Sequence, residues 1–140
     1  MEERVLLTPA KKTIQTERYL DQKQRWPKAG QHILAHYDED SIVVYQAYNA
    51  AIGRYAVANK KFEGCEAFSS TRMTWIKTNF LWMMFRSGWG TKKNQEITLA
   101  IWLKRSAFDE YISAASTKGG SKSKDGKIVR LQWDPGNFCL

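Results

Sequence analysis

The chain has 140 residues, of which 43% are hydrophobic and 13% aromatic, so it carries enough apolar sequence for one domain and is too apolar for a disordered segment. Its 22 basic residues against 14 acidic ones leave a net charge of +8, which suits polyanionic partners or an anionic substrate and also aids solubility. No window reaches the roughly 18 apolar residues of a membrane span, and the charged start MEERVLLTPAKK is not a secretory signal, so no membrane partner and a cytoplasmic location are expected.

Residues 1–15 read as a polar arm, 16–135 as a single domain and 136–140 as a short tail. Thr16 to Arg25 predicts two helical turns with Thr16 as N-cap, ended by Trp26-Pro27 because the residue before a proline is pushed out of the helical region. Gln31 to Tyr37 and the β-branched run Ser41 to Tyr48 read as a hairpin across Asp38-Glu39-Asp40. The three acids lack the glycine and downstream acid of a calcium loop, so they read as turn chemistry. His32, His36, Cys65 and Cys139 are badly spaced for any common zinc site, and no metal is expected.

Ala50 to Asn59 predicts a helix with Ile52, Tyr55, Ala56 and Val57 inward. The most unusual stretch follows, Phe68 to Gly90, and predicts a long helix from about Ser70 to Arg86, closed by Gly88 and Gly90. On a helical wheel of about 100° per residue, Met73, Ile76, Phe80, Leu81, Met83 and Met84 form a broad apolar core-facing arc. Arg72, Trp75, Asn79, Trp82 and Arg86 form a second arc nearly opposite it. Two indoles between two guanidiniums are not an ordinary solvated face. Either they dock a ligand, with π faces for a base and bidentate forks for phosphate, or they fill a second core with each arginine lying over an indole.

After this helix, Gly88-Trp89-Gly90 followed by Thr91-Lys92-Lys93 reads as an anion site of backbone amides and two lysines, with Ser87 beside it as a candidate ligand residue, or as a plain C-cap with a hydrophobic contact. Glu96 to Lys104 predicts a strand, Ser106 to Ala115 a helix with Phe108, Tyr111 and Ile112 inward, and Ile128 to Trp133 a last strand. A lysine-rich loop separates the last two. Together these elements predict an α+β fold: one small domain with a mixed or antiparallel sheet of about four strands, packed by a central tryptophan-rich helix and shorter helices.

Three segments carry a family resemblance: Arg25-Trp26-Pro27, Ser41 to Tyr48, and above all Arg72 to Lys77 continuing through Asn79 to Gly90. On these the chain resembles the family called domain of unknown function 4291, over about residues 16–135. The family has no assigned activity. Its members usually run on past the Trp133-Asp134-Pro135 turn with another strand and a helix, so the resemblance implies a shortened member with one strand missing and an unpaired sheet edge.

The order of elements is also similar to ADP-ribosyltransferase layouts. That analogy implies a transferase using NAD and acting on nucleic acid, with Gln46 near the first catalytic position, Ser69, Ser70 and Thr71 near the second, and Glu96 as the acid. Tyr45, Trp82 or Trp89 would stack on nicotinamide or a base, while Arg72, Lys77 and Arg86 would hold phosphates. The alternatives are a non-catalytic nucleic-acid-binding module that uses the same face, and an inactive shortened product. Oligomeric state is left open.

Overall fold

The computed structural model describes residues 12–117, 121, 122, 126 and 128–133. The expected arm up to residue 11, the tail from 136 and most of the lysine-rich loop lie outside them. Two compact units divide at His32 and Ile33.

In the first unit α1 runs Tyr19–Gln24, not from Thr16: its N-cap is Arg18, which makes no side-chain capping bond. The Arg25 guanidinium pairs with the Glu17 carboxylate and holds that carboxyl below its ordinary range. The Trp26 ring meets Tyr19 edge-on at 5.6 Å.

The second unit is α+β. Its centre is an antiparallel pair, β1 (Ser41–Tyr48) and β2 (Ile97–Lys104), with Tyr45 opposite Ala100 and Ser41 opposite Lys104. β1 is buried from Ser41 to Gln46, as its β-branched and aromatic run requires. One face of β1 presents Val43 and Tyr45 to α3 (Phe80–Ser87), which buries Trp82, Met83 and Met84 against them. The other face presents Ile42 and Val44 to Phe108 of α4 (Arg105–Ala114), with Ile76, Ile101 and Leu103 around it. α2 (Ala50–Asn59) starts where the Asn49 side chain accepts from Ile52 N and packs on β2, with Gly53 directly over Ile97. A Cβ on Gly53 would fall 2.6 Å from Ile97 Cγ2, so that helix approaches the sheet closely only because the residue is glycine.

The predicted four-stranded sheet is not found among the described residues. A second ladder pairs only β3 (Ser121–Lys122) with β4 (Ile128–Val129), and Arg130 bridges Ser116 instead of extending the last strand. The expected strand Gln31 to Tyr37 reduces to one bridge, Tyr37 to Ile42, with Val43 N donating to His36 O at 2.8 Å. The turn before β1 is fixed by Asp38, whose Oδ1 accepts from Asp40 N, Ser41 N and Ser41 Oγ at 2.7–2.9 Å, as turn chemistry predicts.

The largest correction concerns the long helix. Helix α3 begins only at Phe80, because the Asn79 side chain caps it by accepting from Trp82 N at 3.1 Å. Residues 74–78 run alongside β1 instead, where Tyr45 N donates to Lys77 O at 2.7 Å and Lys77 N to Tyr45 O at 3.2 Å. The wheel that assigned Met73 and Phe80 to the core therefore does not apply. Met73 is 54% and Phe80 45% exposed, while Trp82, assigned to the opposite face, is 9% exposed. Val57, Tyr111 and Ile112, also expected inward, are exposed.

Two measurements test this packing. Trp82→Ala should cost about 3–5 kcal/mol in a denaturant melt, as a truncated core aromatic. Phe80→Ala, which loses a half-exposed ring lying edge-on to Tyr45 at 5.3 Å, should cost about 1–2 kcal/mol. The reverse order would put the wrong face of α3 inside. Burial also pushes the Tyr45 and Tyr48 phenols up from their ordinary value, Tyr48 against the opposing pull of a hydrogen bond with Thr74. Their contribution to stability is complete below pH ~10 and lost as pH climbs through the raised values. The denaturation midpoint should therefore hold up to about that pH and fall above it; a midpoint that does not fall above it would contradict this burial.

Candidate functional site

Period-two alternation along residues 74–77 sorts their side chains to two places. Thr74 and Ile76 turn toward the α4 side of β1, and Trp75 and Lys77 toward α3. On the α3 side, Lys77 Nζ sits 4.0 Å from the centre of the Trp82 ring and 5.6 Å from that of Trp75. The Arg86 guanidinium lies 5.4 Å from the Trp82 ring and 5.8 Å from Trp75. Two cations from different segments thus converge on the same two indoles, each held by attraction to the ring faces. Among the described residues Arg86 has no carboxylate partner.

Of the five residues on the predicted arc, the structure brings together Trp75, Trp82 and Arg86. Asn79 uses its side-chain oxygen to cap α3, and Arg72 lies exposed in the non-helical stretch, over neither indole. Lys77 takes the place next to Trp82 that the wheel gave to arginine. Tyr45 is buried in the core against Phe80.

The end of α3 is a wired turn. Gly88, Trp89 and Gly90 all adopt left-handed backbone, with φ of 58°, 56° and 75°. At Gly90 this conformation coincides with a close approach: a Cβ there would lie 3.1 Å from Glu96 O. Trp89, with no such freedom, carries about 1–2 kcal/mol of strain and leaves its indole 60% exposed. The amides are not free for an anion. Gly88 N donates to Phe85 O, Trp89 N to Met84 O, Gly90 N to Ser87 Oγ, Thr91 N to Gly88 O and Lys92 N to Ser87 O. Ser87, fully buried, serves this turn with its hydroxyl, and Lys92 offers its exposed side chain.

Gln46 is buried on the opposite face of β1. Its Nε2 donates to Trp75 O at 3.3 Å and Thr74 Oγ1 at 3.4 Å, and its Oε1 accepts from Tyr48 OH at 2.9 Å. Tyr48 in turn contacts Phe62 and Phe68, which stack on each other at 4.9 Å. The sequence reading missed Thr74 and Tyr48; alternation along 74–77 is the signal that finds Thr74. Glu96 is exposed and accepts from Asn94 N at 3.0 Å.

Two clefts lie elsewhere, one by Tyr37, Arg105 and Phe108 and one by Phe62, Cys65 and Phe68, and neither is lined by a residue of the indole–cation group. Among the described residues no group of three or more His, Cys, Asp or Glu is placed to hold a metal, and no helix is long and apolar enough to cross a membrane. No curated protein and no solved structure matches the chain. A family model described as domain of unknown function (DUF4291) matches residues 32–138, which include the sheet, the indole–cation group and the turn after α3. The match spans most of the sequence, and the chain belongs to that family.

Proposed function

We propose that this chain binds single-stranded nucleic acid on the α3 side of its sheet, with Lys77 and Arg86 meeting phosphates and Trp89 stacking on a base. The observation that carries the reading is the convergence of two cations on Trp75 and Trp82. Two like charges gathered on one surface repel each other, and an anion between them relieves that repulsion. The rings hold the Arg86 side chain in place without neutralising it, so its fork remains available for a phosphate. Trp82 then acts as a buried support for the cations, and the exposed indole is Trp89. Bases of a duplex are stacked inside, so an exposed tryptophan three residues after Arg86 in the chain favours an unpaired strand. Arg72 and Lys92 add exposed basic side chains in the same stretch of sequence.

The ADP-ribosyltransferase-like reading, with NAD as cofactor and Gln46 and Glu96 in catalytic positions, rests on element order. Binding takes precedence because both ends of the Gln46 amide are already hydrogen-bonded within the fold.

Fluorescence anisotropy with a labelled oligonucleotide over a salt series tests the proposal. Arg86→Ala should weaken binding and flatten the log–log salt slope by about one. Trp89→Gly should lower affinity by about 1–3 kcal/mol with little change in slope. Because glycine fits the left-handed position, the same substitution should leave the melting temperature unchanged or raised. Wild-type chain that binds no oligonucleotide at low salt would overturn the reading. A mass gain on the oligonucleotide only when NAD is added would replace it with transfer.

A further inference from the structure

A small cleft of about 270 Å³ lies on the α4 side of β1. Ile42 and Phe108 line it and are buried, so they form its floor. Ile33 and Tyr37 line it too and stand exposed at its rim. Two opposite charges, Arg105 and Asp109, complete the mouth, and both are exposed. They stand four residues apart on α4, the spacing at which a helix normally pairs such groups, yet they form no ion pair with each other. Arg105 is held elsewhere. Its guanidinium lies 5.1 Å from the centre of the Tyr37 ring, its Nη1 donates to Asp38 O at 3.2 Å, and its backbone N donates to Asp40 O at 2.8 Å. The turn before β1 therefore fixes the cation in place. The other N–H groups of that guanidinium and the Asp109 carboxylate have no partner among the described residues.

We infer that this cleft binds a free α-amino acid with an apolar side chain, its carboxylate on Arg105, its ammonium on Asp109 and its side chain against Phe108 and Ile42. Charge complementarity selects this occupant. A cation and an anion kept apart at one mouth match a ligand that carries both charges a few bonds from each other, and each contact is a charge-assisted hydrogen bond. A simple carboxylic acid leaves Asp109 facing a like charge, and a simple amine does the same to Arg105. Below the two charges the floor carries no polar side chain, so the part of the ligand that enters is apolar. The volume falls just under the roughly 300–1,000 Å³ of sites for drug-sized ligands, which suits a single amino acid better than a nucleotide. The cleft shares no lining residue with the indole–cation group, so the inference stands apart from nucleic-acid binding.

Titration of the isotope-labelled full chain with L-leucine, followed by NMR, tests this. Saturating shifts should appear around residues 33–42 and 105–109, with a Kd at or below about 1 mM. N-acetyl-L-leucine, which lacks the ammonium, and L-leucinamide, which lacks the carboxylate, should each bind at least about tenfold more weakly. The Asp109 carboxylate has no partner among the described residues, so Asp109→Asn should leave the melting temperature nearly unchanged. The same substitution should bring leucine and N-acetyl-leucine to within about twofold of each other, because the charge that separates them is gone. Three results would each overturn the inference. They are no saturable shift with leucine at about ten times that concentration, N-acetyl-leucine binding as tightly as leucine to the unaltered chain, and a preference for leucine that survives Asp109→Asn.

Discussion

β1 lies inside the fold, and an interior strand cannot leave backbone groups unbonded without a cost comparable to a lost hydrogen bond for each. β2 satisfies the even-numbered residues of β1. The odd-numbered ones need a partner on the other side, where the chain supplies two short pieces: the backbone around His36 and Tyr37, and the backbone of Lys77. The second piece comes out of the stretch whose side chains look most helical. Satisfying Tyr45 at 2.7 and 3.2 Å therefore decides that the chain at Lys77 lies bridged to β1, and that the helix starts after it.

Everything distinctive about the α3 side follows from that choice. In an extended run, Trp75 and Lys77 project to the same face, two residues apart. Helix α3 then brings Trp82 beneath Lys77, and Arg86 one turn further on. A cation over a desolvated ring keeps more of its electrostatic attraction than one in open water, so the arrangement is stable although it gathers positive charge. On the other face the same alternation hands Thr74 to Gln46 and Ile76 to the Phe108 cluster, so four residues tie together both layers around the sheet.

The parts of the fold that the sequence made legible are those where local and tertiary preferences agree. β1 has its predicted bounds because Ile42, Val43 and Val44 favour a strand and also fill the core. α2 has its predicted bounds too, with Asn49 as cap and Gly53 free to touch Ile97. β2 starts one residue later and α4 is displaced by one residue at both ends, within the usual fraying of element boundaries. Residues 70–79 misled because their spacing fits a wheel, while Thr71, Thr74, Ile76 and Thr78 are β-branched and a long-range bond partner settles the matter. Of the site, the identities of Trp75, Trp82, Arg86 and Lys77 were legible and their geometry was not. Trp82 is a floor, not a face, and that inversion depends on where the helix begins.

Between the Lys77 bridge and the first helical residue stand only Thr78 and Asn79. They act as a crank of fixed length. One residue more or fewer would turn α3 by about 100° about its axis, carrying Trp82 out of the core and Arg86 away from both rings. Substitutions at Thr78 leave that phase intact, whereas an insertion or deletion there changes every contact of the helix at once. Among family members, the spacing from this lysine position to the helix should therefore vary far less than the residues that fill it.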